Sequence, residues 1–154
     1  MPQRPKSQAL DRLLRSPEYL IRRAHQTAGS LFASACAELD LTPSQYAALC
    51  ALASAAPLGQ NELGRMIALD RATTSLVVRL LCGRGWVEGR PDPQDRRRLL
   101  LELSATGRER LHEAERLARR ARRRLLAALD DEEEALFLHL LARLDQAHGE
   151  ASSD

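Results

Sequence analysis

Apolar residues recur every three or four positions through most of this 154-residue chain, and this spacing predicts amphipathic helices. Ser16 and Pro17 open the first predicted helix, because serine is a favoured N-cap and proline suits the first helical position. Thr42 opens the second, and Gln45 completes its capping box. The apolar stripe of the first helix consists of Leu20, Ala24, Ala28, Leu31, Ala35 and Leu39.

Two shorter helices are predicted next, joined by a tight connection. The first covers residues 60–69, and Asp70 is a natural N-cap for the second, which Gly83 and Gly85 end. The inward positions of the first are Leu63, Met66 and Ile67. On the second, the predicted buried face is Leu76, Val77, Leu80 and Leu81, and the predicted outer face is Arg71, Thr74, Ser75, Val78 and Arg79.

Beyond Gly85 the hydrophobic pattern becomes that of short β-strands. The segments "WVEGR" and "RLLLELS" indicate two strands joined by the turn "PDPQD". Because two strands alone are only marginally stable, this hairpin must lean on the preceding helices. A fifth helix is predicted from Thr106, and a sixth from Asp130, with Glu133 completing its capping box, to the neighbourhood of Gly149. Residues 1–8 and 150–154 are predicted to be frayed tails.

This order of elements predicts a winged helix-turn-helix: a mainly α fold of six helices with a small β-hairpin wing. We expect a single domain over residues 1–154, with the winged module in 41–105 and dimerisation helices in 9–40 and 106–149. These flanking helices carry more leucine than a small winged core could cover, and an exposed apolar patch marks an interface. The leucines concerned include Leu125, Leu126, Leu129, Leu136, Leu140, Leu141 and Leu144.

Composition narrows the class of protein further. The aromatic share is 3%, and no segment approaches the roughly 18 apolar residues needed to span a bilayer. The N-terminal residues lack the apolar core of a secretory signal, so we expect the cytoplasm. Phosphate loops, nucleophile elbows and paired catalytic carboxylates are not recognisable, so neither an enzyme nor a cofactor is expected. The histidines lack metal-ligand spacing, so no metal is expected.

The net charge is only +2, but its distribution is uneven. Residues 79–98 hold six arginines and three acids. Arginines at the end of a wing can lie along DNA phosphates or enter the minor groove. Arginine and hydroxyl side chains on the preceding helix could read bases in the major groove, although a solvated polar face would look the same. The predicted contacts with double-stranded DNA are Arg71, Thr73, Thr74, Ser75, Arg79, Arg96, Arg97 and Arg98.

The segment "ALDRATTSLVVRLLCGRGWVEGRPDPQDRRRLLLELSATG", residues 68–107, resembles the MarR-type winged-helix transcriptional regulators. The resemblance spans the recognition helix, the D-R-R wing and the entry to the fifth helix. It implies an intertwined homodimer, formed by the first, fifth and sixth helices, on a palindromic operator. It also implies that Asp95 braces the wing by pairing with a nearby arginine, while Arg96 or Arg97 reaches the minor groove.

A candidate effector site lies on the first helix, where Arg22, His25, Gly29 and Phe32 share one stripe. A mid-helix glycine costs roughly 1 kcal/mol relative to alanine, so its presence suggests a close approach. A guanidinium and an aromatic ring suit a small aromatic carboxylate. The segment also resembles regulators of nicotinate or benzoate breakdown, which implies a ligand near Tyr46. Alternatively, Arg22 and His25 pair with acids across the dimer.

Two other functions remain open from the sequence. A regulator of the same fold could sense oxidants through Cys36, Cys50 or Cys82, although apolar neighbours favour buried, inert thiols. A dimeric helical adaptor would explain the helices but not the wing arginines. The run "RLARRARRR" at 116–124 is either a second DNA-binding surface or a solvated face with the acids of 130–134 nearby.

Overall fold

The computed structural model describes residues 6–149 and, within them, seven α-helices and three short strands. The helices are α1 (Lys6–Leu14), α2 (Pro17–Ala35), α3 (Pro43–Ala55), α4 (Gln60–Met66), α5 (Arg71–Gly83), α6 (Ala105–Leu125) and α7 (Asp131–Gly149). The strands are β1 (Leu58–Gly59), β2 (Val87–Pro91) and β3 (Leu99–Leu103). A turn of 3₁₀-helix, Ala37–Leu39, joins α2 to α3. The mainly helical fold with a β-hairpin wing is therefore confirmed.

The predicted helix starts are confirmed by the hydrogen bonds at each N-cap. Ser16 accepts a hydrogen bond from the Tyr19 amide, and Thr42 and Gln45 form a reciprocal capping box. Asp130 and Glu133 cap each other's backbone amides in the same way at the start of α7. The fifth predicted helix starts slightly earlier than expected, because Ser104 is its N-cap.

Two elements were not predicted from the sequence. Residues 6–8, expected to fray, belong to α1, whereas residues 1–5 and 150–154 of the predicted tails lie outside the described residues. The strand β1 extends the hairpin to an antiparallel sheet of order β1-β3-β2, with Leu58 opposite Leu101. A strand of two residues is too short to show a periodic pattern in the sequence, and it is recognised only by its pairing with β3.

The hydrophobic core lies in the winged module. Leu49 and Leu52 of α3, Leu63 of α4 and Leu81 of α5 are almost completely buried. The strands close this core from the side, where Leu101 and Leu103 are buried as well. The hairpin therefore packs on the helical core of the module, and this packing stabilises it.

Three leucine and methionine positions depart from the predicted pattern. Met66, Leu76 and Leu80 were expected to face inward, but each exposes between 44% and 50% of its surface. The buried face of α5 consists instead of Thr74, Val77, Val78 and Leu81. Apolar residues on α5 allow two overlapping stripes, and the packing of α5 against its neighbours selects the one that includes Thr74.

The helices outside the winged module leave apolar side chains uncovered. No residue of α2 is fully buried, although α2 packs along α6. Leu126 was assigned to the dimer surface, but it is buried within its own chain. No helix within residues 6–149 is both long and apolar enough to cross a membrane. The exposed large apolar residues of α1, α2 and α7 are Leu10, Leu13, Leu14, Leu20, Ile21, Leu136, Phe137, Leu138, Leu140, Leu141 and Leu144.

Arg84 connects the C-terminal end of α5 to the turn before α3. Its guanidinium donates hydrogen bonds to the carbonyl oxygens of Leu39 (3.1 Å) and Asp40 (2.8 Å), and it lies 4.9 Å from the centre of the Trp86 ring. It also pairs with the Asp40 carboxylate at 2.9 Å, which is almost fully exposed. Asp40 has a φ of 46°, so Arg84 holds a left-handed turn in place.

Replacing Arg84 with alanine is expected to lower the free energy of unfolding by about 2 kcal/mol, because the charged hydrogen bonds to the carbonyl oxygens of Leu39 and Asp40 are lost. Urea denaturation followed by circular dichroism measures this change. The control is Asp40→Asn, which keeps a residue tolerant of left-handed geometry and removes only an exposed charge. We expect little change for this control, and equal losses in the two variants would contradict the role given to the carbonyl contacts.

Candidate nucleic-acid interface and internal pocket

The helices α4 and α5 approach each other closely at Gly64. A side chain there would meet the Thr74 hydroxyl at 2.7 Å and the Leu69 carbonyl oxygen at 3.3 Å. Thr74 is 2% exposed, and its hydroxyl donates a hydrogen bond of 2.7 Å to the Asp70 carbonyl oxygen. The placement of Thr74 on the outer face is therefore wrong, and the same holds for Val78, which is buried.

The outer face of α5 nevertheless carries the other predicted polar residues. Arg71, Ser75 and Arg79 are exposed. Thr73 is partly exposed, but its hydroxyl and its amide both donate to the Asp70 carboxylate, at 2.6 Å and 2.8 Å. These hydrogen bonds hold the pKa of Asp70 below its usual value, so the cap remains ionised at the helix start.

The wing turn is held together by hydrogen bonds to two aspartates. The Gln94 amide donates to the Asp92 carboxylate at 2.9 Å, and the Arg97 amide donates to the Asp95 carboxylate at 3.1 Å. Asp95 thus braces the turn, but through a backbone amide. The expected ion pair between Asp95 and an arginine is absent from the described residues. The exposed guanidinium groups are consequently free of this carboxylate, which suits contact with an external anion.

A groove of about 550 Å³ lies between α5 and the wing. Arg71 of α5 and Arg97 and Arg98 of the wing line it together, although they are distant in sequence. Arg79 and Arg96 are exposed but do not line the groove. Gln60 and Asn61, at the start of α4, also line it. These two residues were missed from the sequence, where the start of a short helix gave no sign of facing the wing.

The base of the wing is fastened to α6. The Ser104 hydroxyl donates to the Gly85 carbonyl oxygen at 2.6 Å and caps α6 by accepting from the Gly107 amide at 2.9 Å. Gly85 has a φ of 69°, a geometry that glycine adopts without strain. Gly107 packs directly on the backbone of Trp86, which leaves no space for a side chain. The wing and α6 therefore form a closely packed junction.

A second cavity, of about 280 Å³, lies between α2, α3 and α6. The rings of Phe32 and Tyr46 lie 5.4 Å apart, centre to centre, and tilt by 44°. The predicted residues His25, Gly29, Phe32 and Tyr46 all line this cavity, but Arg22 does not. The full lining is His25, Ala28, Gly29, Phe32, Pro43, Tyr46, Ala118, Ala121, Arg122 and Leu125.

The arginine that lines this cavity is Arg122 of α6, whereas the Arg22 guanidinium lies 5.3 Å from the centre of the Tyr19 ring. The sequence placed Arg122 in the run at 116–124, which was interpreted as either a second DNA-binding surface or a solvated face. The alanines at 114, 118 and 121, spaced for one helical stripe, were the signal that another element approaches this face.

The chemistry of the cavity suits a small ligand with one anionic group. Burial, together with the nearby Cys50 thiol, raises the pKa of Tyr46 to about 12. The Tyr46 hydroxyl therefore stays protonated and can donate a hydrogen bond. A side chain at Gly29 would meet nothing within 4 Å among the described residues, so the space beside Gly29 has room for a ligand.

The three cysteines differ in exposure. Cys36 is buried and Cys50 is partly buried, but Cys82 is exposed, so its predicted burial is wrong. Cys82 lies at the groove between α5 and the wing. Desolvation raises the pKa of each thiol, which disfavours the reactive thiolate. Residues 6–149 contain no cluster of three or more potential metal ligands.

A helix-turn-helix followed by an arginine-bearing hairpin defines a winged-helix DNA-binding protein. The model of the MarR family matches residues 39–98. The repressor NicR of Pseudomonas putida is 32% identical over 126 residues, which cover 82% of this chain and 80% of NicR. The chain therefore belongs to the MarR family of transcriptional regulators, which confirms the resemblance of residues 68–107.

Two solved structures are similar over nearly the whole chain. PcaV of Streptomyces coelicolor, in complex with its natural ligand, has a TM-score of 0.82 and 35% identity, covering 88% of this chain and 95% of PcaV. BpsR of Bordetella bronchiseptica, whose DNA binding is regulated by 6-hydroxynicotinic acid, has a TM-score of 0.81 and 26% identity, covering 91% and 96%. The family and these relatives are transcriptional regulators and not enzymes.

Proposed function

We propose that this protein is a repressor that binds a palindromic operator as a homodimer and leaves it when a small aromatic carboxylate binds. The observation that carries the proposal is the cavity between α2, α3 and α6, which adjoins α3 of the winged module. A ligand there touches both the helices that flank the module and the module itself. Its binding can therefore change how the two winged modules of a dimer are spaced.

The first part of the proposal, DNA binding, rests on the arginines around the groove between α5 and the wing. With α5 in the major groove, Arg71, Ser75 and Arg79 face base edges and phosphates, with Thr73 beside them. The wing then brings Arg96, Arg97 and Arg98 to the phosphates or the adjacent minor groove. In this arrangement, residues 41–105 form the DNA-binding module, and the protein acts on chromosomal DNA in the cytoplasm.

The second part, dimerisation, rests on the exposed apolar side chains of α1, α2 and α7. A second copy that packs on these helices, within segments 9–40 and 106–149, would cover them. A two-fold dimer places two recognition helices on one face, and this symmetry matches a palindromic site.

The third part, binding of the effector, rests on the residues that line the cavity. The Arg122 guanidinium is the partner for a carboxylate, and the neutral Tyr46 hydroxyl donates to the same group. Phe32 contacts the ring, with His25 and Gly29 beside it. At about 280 Å³, the cavity is just below the roughly 300–1,000 Å³ of sites for drug-sized ligands. The regulation of BpsR by 6-hydroxynicotinic acid supports this class of effector.

The test is a fluorescence titration of the protein onto the DNA upstream of its own gene at two salt concentrations. Nicotinate, 6-hydroxynicotinate and benzoate are added in turn, and an oxidant is added separately. We expect tight, salt-sensitive binding that one of the acids relieves. Relief by the oxidant alone would move the sensor to a cysteine, and the absence of DNA binding would overturn the proposal.

A pair of matched variants tests which arginine holds the carboxylate. Arg122→Gln is expected to raise the concentration of acid needed for release by at least about tenfold, since a charged hydrogen bond is lost. Its DNA affinity without the acid should be unchanged, because Arg122 lies outside the winged module. Arg22→Gln should respond like the wild type, and the reverse result would return the carboxylate to Arg22.

A further inference from the structure

Two leucines on the outer side of α5 remain exposed within the part of the chain that the structure describes. Leu76 is 44% exposed and Leu80 is 45% exposed. They lie four residues apart, so their side chains are neighbours along one helical stripe. Together they form a small apolar strip, which we call the Leu76–Leu80 strip.

The strip belongs to the same outward side of α5 as Ser75 and Arg79. At 3.6 residues per turn, Leu76 lies about 60° around the helix from Arg79, whereas the buried stripe lies on the opposite side. The helix packs chiefly against α3, α4 and β2, which cover that opposite side. A molecule that covers this outward side of α5 meets Leu76 together with Arg79, and it meets Leu80 at the far edge of the same side.

The charge around the strip indicates what covers it. The exposed arginine beside the strip is Arg79, about 60° from Leu76, and Arg71 and the arginine-lined groove lie further round the same helix. The large apolar surfaces that suit a second copy of the chain lie on α1, α2 and α7 instead. A polyanion that presents small apolar groups between its phosphates complements this combination of arginine and leucine.

The major groove of DNA presents one apolar group at base edges, the C5-methyl group of thymine. We propose that Leu76 and Leu80 contact thymine methyl groups, so that the protein recognises its operator partly through these methyls. This inference rests on the proposed DNA binding. It adds an apolar component to sequence recognition that distinguishes A·T from T·A pairs, because the methyl group lies on one strand only.

Deoxyuridine in place of thymidine tests the inference, because it removes the methyl group and preserves base pairing. The probe is the duplex that the wild-type protein binds most tightly after selection from a random-sequence pool, made with either base. We expect the wild type to bind the uracil duplex more weakly, by about fourfold for each methyl group that is fully covered. The variant Leu76→Ala/Leu80→Ala should bind both duplexes alike.

The matched control is Met66→Ala, which removes an exposed apolar side chain from α4 that neither lines the groove nor belongs to the proposed dimer surface, and it should keep the discrimination. The salt dependence of binding should be the same for all three proteins, since the phosphate contacts are intact. Equal binding of the two duplexes by the wild type overturns the inference while the proposed DNA binding stands. So does discrimination that survives in the double variant. A wild-type protein that selects no duplex overturns the proposed function as well.

Discussion

Alanine at both Arg96 and Arg97 is expected to weaken binding to every duplex by about a hundredfold at low salt, because two charged contacts to phosphates are lost. Both side chains are exposed on the wing turn, where the amide of Arg97 is fixed by Asp95. The slope of log affinity against log salt concentration should become shallower by about two, one for each phosphate contact. Titrations over a series of salt concentrations measure both quantities.

Two control variants separate this role from other arginine effects. Arg79→Ala, on α5, should also reduce the preference for the selected duplex over a scrambled one, because it removes a side chain near base edges. Alanine at both Arg119 and Arg120, which are exposed in the arginine run of α6, should leave DNA affinity unchanged. A comparable loss in the α6 variant would favour a second DNA-binding surface there. Wild-type affinity after the wing substitution would contradict the proposed role of the wing.

The largest loss of stability is expected from Gly107→Ala. The added carbon would overlap the Trp86 carbonyl oxygen and lie 2.9 Å from the Trp86 carbonyl carbon. Both atoms belong to the backbone, so no side-chain rotation can relieve the overlap, and α6 must move away from the start of the wing. We expect the free energy of unfolding to fall by at least about 3 kcal/mol, at or above the upper end of overpacking effects. Chemical denaturation measures this change.

Gly83→Ala provides the matched control within the same fold. A side chain at Gly83 would meet nothing within 4 Å, and the residue lies at the end of α5. Alanine there should leave stability unchanged or raise it by up to about 1 kcal/mol, since alanine favours the helix. If Gly107→Ala were as harmless as Gly83→Ala, the close junction between the wing and α6 would be wrong.

The positions of helices were predictable because the signals that start a helix are local. An N-cap such as Ser16, Thr42 or Asp70 depends on hydrogen bonds to a residue three positions later, and these bonds form as expected. The hairpin was predictable for a similar reason, since a change from helical to alternating spacing falls at Gly85. The helix α1 and the two-residue strand β1 were not predicted, because their sequences carry no comparable local signal.

The burial of α5 shows where local pattern fails. Leu76 and Leu80 are more apolar than Thr74, so hydrophobicity alone predicts the wrong buried face for α5. The close contact with Gly64 places Thr74 inside, where its hydroxyl is satisfied by the Asp70 carbonyl oxygen. The rotation of α5 about its axis is therefore decided by the close packing at Gly64 and by the hydrogen bond of Thr74. As a result, Thr74 and Val78 leave the outer face of α5, and Leu76 and Leu80 join it.

The sequence by itself determined the family, the order of elements, three of the arginines that line the groove and four of the residues that line the cavity. Only the tertiary structure decided which arginine accompanies His25, Phe32 and Tyr46, because Arg122 is separated from them by more than seventy residues. It also brought Arg71 to Arg97 and Arg98 across one groove. The physical reason is that hydrogen bonds within a turn depend on neighbours in sequence, whereas a cavity depends on the packing of whole helices.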